Sequence, residues 1–186
     1  MNQTIKNQLN HRTIREFTDE KIDETTINTL LEVVNMSASS NGMQNMSVIR
    51  ITDPKIKEML AENGNQEYMA RATELWIFIV DLNRNYQIAK EMGNENDNII
   101  SFDKFIQGFT DAIIAAQNLT VAVESLDLGA NYFGNIHNDT KNVIKILKMP
   151  KLTYPAVGVG FGVPNQNPQI KPRLDIKLKT YENSYK

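Results

Sequence analysis

The sequence contains no cysteine, so disulfides, thiolate metal ligands and a cysteine nucleophile are excluded together. It has only two histidines, His11 and His137, and they show no helical metal-binding spacing. Neither histidine has the serine and acid context of a hydrolytic triad. The formal net charge of −2 gives no reason to expect a nucleic-acid or membrane partner. Classical hydrolytic chemistry and a zinc site therefore have little support in the sequence.

Long hydrophobic segments are also missing. The longest apolar run, Leu75–Val80, is far shorter than the ~20 residues that span a bilayer. The first residues, MNQTIKNQLN, lack the apolar region of a signal peptide. A length of 186 residues is typical of one domain. We therefore expect a soluble, cytoplasmic, single-domain protein.

Glycine-rich and phosphate-binding motifs are absent or incomplete. Gly158, Gly160 and Gly162 have the wrong spacing for a dinucleotide fingerprint, and Pro164 follows where a helix should begin. There is no Walker A motif and no nucleophile elbow. The glycines instead indicate a buried strand that other groups approach closely.

Hydrophobic periodicity predicts helices interleaved with a few strands, which indicates an α+β or mixed α/β layer fold. Asp23 is a candidate N-cap, and Gly129 is expected to end the longest helix. That helix is apolar nearly all round, which is typical of a helix in the middle of a fold. The predicted helical stretches are 23–37, 53–64, 101–128 and 138–150. The predicted extended segments are 46–52, 75–82, 131–136, 154–162 and the tail from Val163.

Two short cationic clusters lie near the two ends of the chain. Arg12 and Arg15 precede the first predicted helix, and Lys171-Pro172-Arg173 lies in the tail. Proline excludes Lys171 from the helical region, so Lys171 and Arg173 can point to one side, like residues i and i+2 of a strand. Two cations held in this way suit a phosphate group. The alternative is that both clusters are solvated surface, and neither cluster decides the matter alone.

Several separated motifs, in this order, resemble the FMN-dependent nitroreductase superfamily, and within it the branch of oxygen-insensitive NADPH nitroreductases and flavin reductases. The resemblance covers essentially the whole chain. The motifs are HRTIREF (11–17), SSNGMQ (39–44), IRITD (49–53), ELWIFIVDLNR (74–84), ESLDLGANYFGNI (124–136), VGVGFGVPNQNPQIKPRL (157–174) and ENSY (182–185).

The resemblance implies an α+β fold in which helices flank a central, mostly antiparallel sheet, and an intertwined homodimer with the long helix in the interface. Residues 1–186 would form one FMN-binding domain, and residues 163–186 would be an extended arm that packs on the partner subunit. One FMN would bind to each subunit, in a cleft between the two chains.

The resemblance also implies which residues bind the cofactor. His11, Arg12 and Thr13 would meet the phosphate and ribityl chain from one side, with Lys171 and Arg173 on the other. Arg15 would stabilise the anionic reduced flavin at the pyrimidine edge of the ring, and Gln66 would hydrogen-bond the ring edge. Phe133 and Gly134 would offer backbone groups close to the flavin nitrogen that receives hydride. Contacts to the ring and the ribityl chain from the partner subunit would come from Ser39, Asn41 and Gln44.

Each of these ring contacts has a plainer alternative. Ser39 and Asn41 are also good turn residues, Gln66 is a common residue at a helix start, and Phe133 is an ordinary core aromatic. Gly42 and Asn135 differ from residues that are common at these positions in the family, so the pocket is expected to differ from that of its relatives.

The implied activity is reduction of nitroaromatics, quinones or flavins by NADPH or NADH, through ping-pong two-electron transfer and without a catalytic acid, base or nucleophile. Members of this branch usually continue past ENSY with a helical extension that helps to bind NADPH, whereas this sequence ends at Lys186. The choice of nucleotide is therefore open. The alternative functions are an FMN-binding dimer for flavin storage or sensing, and a dimer without cofactor whose cationic clusters are only surface.

Overall fold

The structure is a computed structural model in which residues 1–94 and 100–185 are described. Lys186, the last residue of the predicted arm, lies outside them. The helices are α1 (Gln3–Leu9), α2 (Glu24–Asn35), α3 (Pro54–Gly64), α4 (Leu82–Glu91), α5 (Phe102–Ser125) and α6 (Thr140–Ile146); the strands are β1 (Met46–Arg50), β2 (Glu74–Asp81), β3 (Gly129–Phe133) and β4 (Thr153–Gly162).

The four strands form one antiparallel sheet in the order β1-β2-β4-β3. The central strand β2 pairs with β1 on one side and β4 on the other, so that Trp76 lies opposite Arg50 and Val159. Residues Leu75–Val80 are buried, as their continuous apolar sequence predicts for a strand covered on both faces. The predicted α+β class, with helices around an antiparallel sheet, is confirmed.

Helices cover both faces of the sheet. On one face, Trp76 and Phe78 of β2 pack against residues of α2 and α5. On the other face, Leu75 and Ile77 pack in a second core with residues of α3 and α6. Because β2 side chains alternate between these two cores, the strand connects the helices on both faces of the sheet.

Helix α5 is buried on one side only. Ala112, Ala115 and Ala116 have no exposed surface, and their small side chains let the helix lie close to the sheet. Ile113 and Ile114, on the opposite side, remain 38% and 40% exposed. The sequence predicts a helix surrounded by the rest of the fold. Within one chain, α5 instead leaves an apolar face uncovered. None of the described helices is both long enough and apolar enough to span a membrane.

The end of α5 differs from the prediction that Gly129 would terminate it. The helix ends at Ser125, and Asp127 takes the left-handed conformation with φ of 59°. Gly129 is instead the first residue of β3, where a Cβ atom would lie 2.6 Å from Ile14 Cγ1. Gly129 therefore allows the close approach of Ile14, and Asp127 forms the turn after the helix.

Other elements match the sequence unevenly. Asp23 caps α2 as predicted, by accepting a hydrogen bond from Thr26 N, but Leu31 of the predicted apolar stripe is 37% exposed. Residues 131–136, predicted to be extended, leave the strand after Phe133 and enter a 3-10 turn. Helices α1 and α4 were not predicted. From Val163 to Tyr185 the only regular element described is the 3-10 turn Ile176–Leu178.

Candidate cofactor-binding site

The N-terminal segment and the start of the tail lie side by side. Ile14 N donates to Ala130 O of β3 at 2.9 Å, which holds the N-terminal segment against the sheet edge. Further along, Thr18 N donates to Val163 O at 2.9 Å, and Phe17 forms a bridge with Pro164. The fold therefore brings the two ends of the chain together at the β3 edge.

A cleft of about 290 Å³ opens where these two segments meet. Arg12 lines it and donates to Asn167 Oδ1 of the tail. The Arg12 Nε atom is buried and has no hydrogen-bond partner among the described residues. Because a buried donor without a partner is costly, this N–H is available for an acceptor that enters the cleft. Thr13 lies next to Arg12 and bridges to Ala130 of β3.

His11 lines the same cleft and is fixed by α5. Its Nδ1 atom lies 2.5 Å from Glu124 Oε1. Because Nδ1 faces Glu124, Nε2 is the ring nitrogen that is left for another partner. Glu124 thereby determines the orientation of the imidazole ring.

The second predicted cationic cluster reaches the same region through Arg173. Arg173 and His11 line a neighbouring cavity of about 350 Å³, together with Glu124. Arg173 donates to the carbonyl oxygen of Lys171 at 3.1 Å, and Lys171 itself is exposed. The structure thus brings Arg173 to His11, whereas no described contact places the Lys171 ammonium.

Arg15 points toward a different group of residues. Its Cζ atom lies 5.7 Å from the centroid of the Tyr68 ring, a cation–π geometry. Tyr68 in turn packs on Phe133, with 5.8 Å between the ring centroids. Gln66 lies two residues before Tyr68 and is half-buried; it precedes the 3-10 turn Glu67–Met69 without a capping side-chain hydrogen bond. Sequence reasoning did not identify Tyr68.

Phe133 and Gly134 lie at the end of β3. The Phe133 ring is 1% exposed and belongs to the second core, which is the plainer of its two predicted roles. Gly134 is exposed, and a Cβ atom there would meet nothing within 4 Å. The backbone at Gly134 is therefore open to an approaching molecule.

Two ionisable groups near this region have shifted pKa values. The hydrogen bond from Arg71, at 2.6 Å, lowers the pKa of Glu16, which is exposed to solvent. Burial raises the pKa of Tyr132, whose hydroxyl donates to Gln117 Oε1 at 3.0 Å. Neither Glu16 nor Tyr132 lines the cleft that His11 and Arg12 share.

The predicted residues Ser39, Asn41 and Gln44 lie in a separate loop. Ser39 Oγ donates to Asp111 Oδ2 at 3.0 Å and accepts from Gln44 N at 2.7 Å. Asn41 and Gln44 are exposed, with positive φ of 54° and 49°. Ser39 is therefore engaged within the chain, whereas the Asn41 and Gln44 side chains face solvent.

This loop is far from the cleft within one chain. Asp111 holds the loop and Glu124 holds His11, and these two acids are thirteen residues apart on α5. At ~1.5 Å per residue, this separation is about 20 Å. One chain therefore does not bring Ser39, Asn41 and Gln44 to the residues at its own cleft.

Taken together, these observations define a class: an α+β domain with a cationic cleft formed by both chain ends and an apolar helix face left uncovered. The chain belongs to the Nitroreductase family, whose model matches residues 9–163.

Individual relatives extend this similarity to the whole chain. The oxygen-insensitive NADPH nitroreductase of Salmonella typhimurium is 36% identical over 186 residues, which are 100% of this chain and 75% of that protein. The FMN reductase (NADPH) of Bacillus subtilis is 35% identical over 187 residues, with the same coverage of 100% and 75%. The solved NfrA1 nitroreductase from B. subtilis superposes with a TM-score of 0.94 at 34% identity, covering 98% of this chain and 75% of that one.

Proposed function

We propose that this chain forms a homodimeric, FMN-dependent NAD(P)H oxidoreductase that reduces nitroaromatics, quinones or flavins. The names of the relatives support FMN and NADPH as its ligands. The observation that carries the proposal is the meeting of Arg12 and His11 from one end of the chain with Arg173 from the other. Two neighbouring cavities that share His11 and carry these donors suit the phosphate of a flavin mononucleotide.

The residues present fit such a group. The Arg12 Nε–H lacks an acceptor, and His11 has one ring nitrogen free of the contact to Glu124. We assign the phosphate and ribityl chain to His11, Arg12, Thr13, Lys171 and Arg173. Arg15 would place a positive charge at the pyrimidine edge, where negative charge accumulates during reduction.

The remaining assignments concern the ring. Gln66 would hydrogen-bond its edge, and Phe133 and Gly134 would offer backbone groups; the exposure of Gly134 supports this role. Bound FMN would supply the chemistry, by taking hydride from NAD(P)H and passing two electrons to the acceptor. Donor and acceptor would use one site in turn, which predicts ping-pong kinetics.

The separation of about 20 Å along α5 supports a shared site. We propose that Ser39, Asn41 and Gln44 bind the cofactor held mainly by the other subunit. The exposed Ile113 and Ile114 on α5 would then be covered by the partner. Residues 1–186 would form one FMN-binding domain, whose arm, residues 163–186, packs on that partner. Dependence on NAD(P)H, an intracellular reductant, supports a cytoplasmic location.

One experiment separates this function from flavin storage or sensing. Purified protein is mixed with NADH or NADPH under nitrogen, and the flavin absorbance is followed. We expect a yellow protein whose flavin band bleaches with at least one nucleotide and recovers when a nitrofuran or quinone is added. A yellow protein that neither nucleotide bleaches would indicate storage or sensing, and a colourless protein that takes up no FMN would contradict both.

A further inference from the structure

Asp111 is a buried acid in an otherwise apolar part of α5. It is 2% exposed. Besides the hydrogen bond from Ser39 Oγ, its carboxylate accepts hydrogen bonds from Ser40 N at 2.9 Å and Asn45 N at 3.2 Å. A buried carboxylate is tolerated when its oxygens are hydrogen-bonded in this way. All three donors belong to the residue 39–45 loop, so this carboxylate binds the loop to the helix.

The carbonyl groups of the same loop are bound by α4. Arg84 donates to Gln44 O, and also to Met46 O at 3.2 Å. Asn85 Nδ2 donates to Met43 O at 2.7 Å. Two N–H groups of the loop, those of Ser40 and Asn45, are therefore bound by α5. Two of its carbonyl groups, those of Met43 and Gln44, are bound by α4.

Polar contacts, rather than close packing, determine the shape of this loop. A cavity of about 80 Å³ lies beside it, lined by both Asp111 and Arg84. Gln44 has a positive φ of 49°, which a residue of this kind seldom adopts unless its surroundings enforce it. Without the contacts from the two helices, the loop could move into this cavity, and Gln44 could leave its unfavourable backbone conformation.

We propose that Asp111 and Arg84 are positioning residues for cofactor binding across the subunit boundary. They hold the loop backbone in a conformation that keeps the side chains of Asn41 and Gln44 exposed and, among the described residues, free of hydrogen bonds. Because the loop conformation is fixed beforehand, ordering it costs less when FMN binds. This inference rests on the proposed function, in which the loop contacts FMN held mainly by the other subunit.

The test is the affinity of the apoprotein for FMN in the Asp111→Asn variant, measured by quenching of flavin fluorescence. An amide at this position would place an N–H donor opposite Asn45 N or Ser40 N. We expect FMN binding to weaken about tenfold, and a deficit in activity that added FMN reverses. Hydrogen exchange at the Ser40 and Asn45 amides should also become faster in the absence of FMN.

Glu74→Gln is the matched control, because it also alters a buried carboxylate, one bound to Arg50 and Trp76. It should lower thermal stability and leave the FMN affinity within about twofold of wild type. If Asp111→Asn does not fold, Arg84→Gln tests the same loop from α4 and should weaken FMN binding about threefold or more.

The outcomes separate this inference from the proposed function. Unchanged FMN affinity in the folded loop variants, in a wild type that binds FMN, would overturn the positioning role alone. A wild type that does not bind FMN would overturn the proposed function, and this inference with it.

Discussion

Arg50 and Arg12 belong to the same chain but have different partners. Arg50 lies between two acids, with its Nε 2.8 Å from Glu74 Oε2 and its NH2 3.2 Å from Glu24 Oε1. The hydrogen bonds to these carboxylates raise the pKa of Arg50 above its usual value. Arg12, at the cleft, meets the neutral Asn167 Oδ1 and keeps one buried N–H without a partner.

Arg173 repeats the pattern of Arg12, since its hydrogen bond goes to the backbone oxygen of Lys171. Neither Arg12 nor Arg173 forms an ion pair with an acid in the part of the chain that the structure describes. A cation paired with acids of its own chain stabilises the fold, whereas a cation with neutral partners keeps its charge for an anionic ligand. This difference predicts opposite effects when the two kinds of cation are removed.

Removal of the tail cations should have the largest effect. In Lys171→Ala/Arg173→Ala, we expect a folded dimer whose affinity for FMN falls about 100-fold or more, since two charge-assisted contacts to phosphate are lost. Fluorescence titration of the apoprotein measures this change. Lys177→Ala/Lys179→Ala, in the same exposed tail, is the control and should bind FMN like wild type. Full FMN content in the first variant would show that the phosphate assignment is wrong.

Arg50→Met should lower the stability of the fold and leave FMN binding intact. Among the described residues, the Glu74 carboxylate would then keep a single side-chain hydrogen bond, from Trp76 Nε1 at 3.0 Å. We expect the free energy of unfolding to fall by about 2 kcal/mol, measured by urea denaturation, with the FMN affinity unchanged. Loss of FMN binding in a variant that stays folded would break the distinction between structural and ligand-binding arginines.

Lys57 is a second cation that is bound within the fold, and its replacement should change the free energy of unfolding least among these variants. Its Nζ donates to Ala72 O at 2.7 Å and Thr73 O at 2.9 Å, and burial lowers its pKa below the ordinary 10.5. Between its folded pKa and 10.5 the unfolded chain binds more protons than the folded chain, so Lys57 makes the free energy of unfolding rise with pH.

Urea denaturation at a series of pH values up to 10.5 checks this expectation. Wild type should gain stability relative to Lys57→Met as the pH rises, whereas Lys55→Met, which alters an exposed neighbour on α3, should follow the wild-type pH dependence. Parallel curves for wild type and Lys57→Met would contradict a burial effect on Lys57.

Most of the fold could be predicted because its elements have strong patterns. The apolar run of β2 and the capped, periodic α2 determine their own structure. Helix α1 has no buried residue, and α4 buries only Leu82, so neither has an apolar stripe to detect. The sequence predicts Gly129 at a helix end and not at a close contact, because the approach of Ile14 is a tertiary contact that the local sequence does not contain.

The site could be predicted only in part, for a similar reason. The cations of the cleft are visible in the sequence, and their meeting follows from the fold. Tyr68 and Glu124 act on Arg15 and His11 through contacts between residues distant in sequence, which no local pattern reveals. Asp111 did offer a signal, since a single acid in an apolar helix segment needs hydrogen-bond donors from elsewhere.

The most direct test of the account compares the binding of FMN and riboflavin, which differ only in the phosphate, to the apoprotein. Wild type should bind FMN at least about 100-fold more tightly than riboflavin. In Lys171→Ala/Arg173→Ala, most of this preference should disappear, because the affinity for FMN falls while the affinity for riboflavin hardly changes. Equal affinity of the wild-type protein for FMN and riboflavin would contradict the claim that both ends of the chain bind one phosphate.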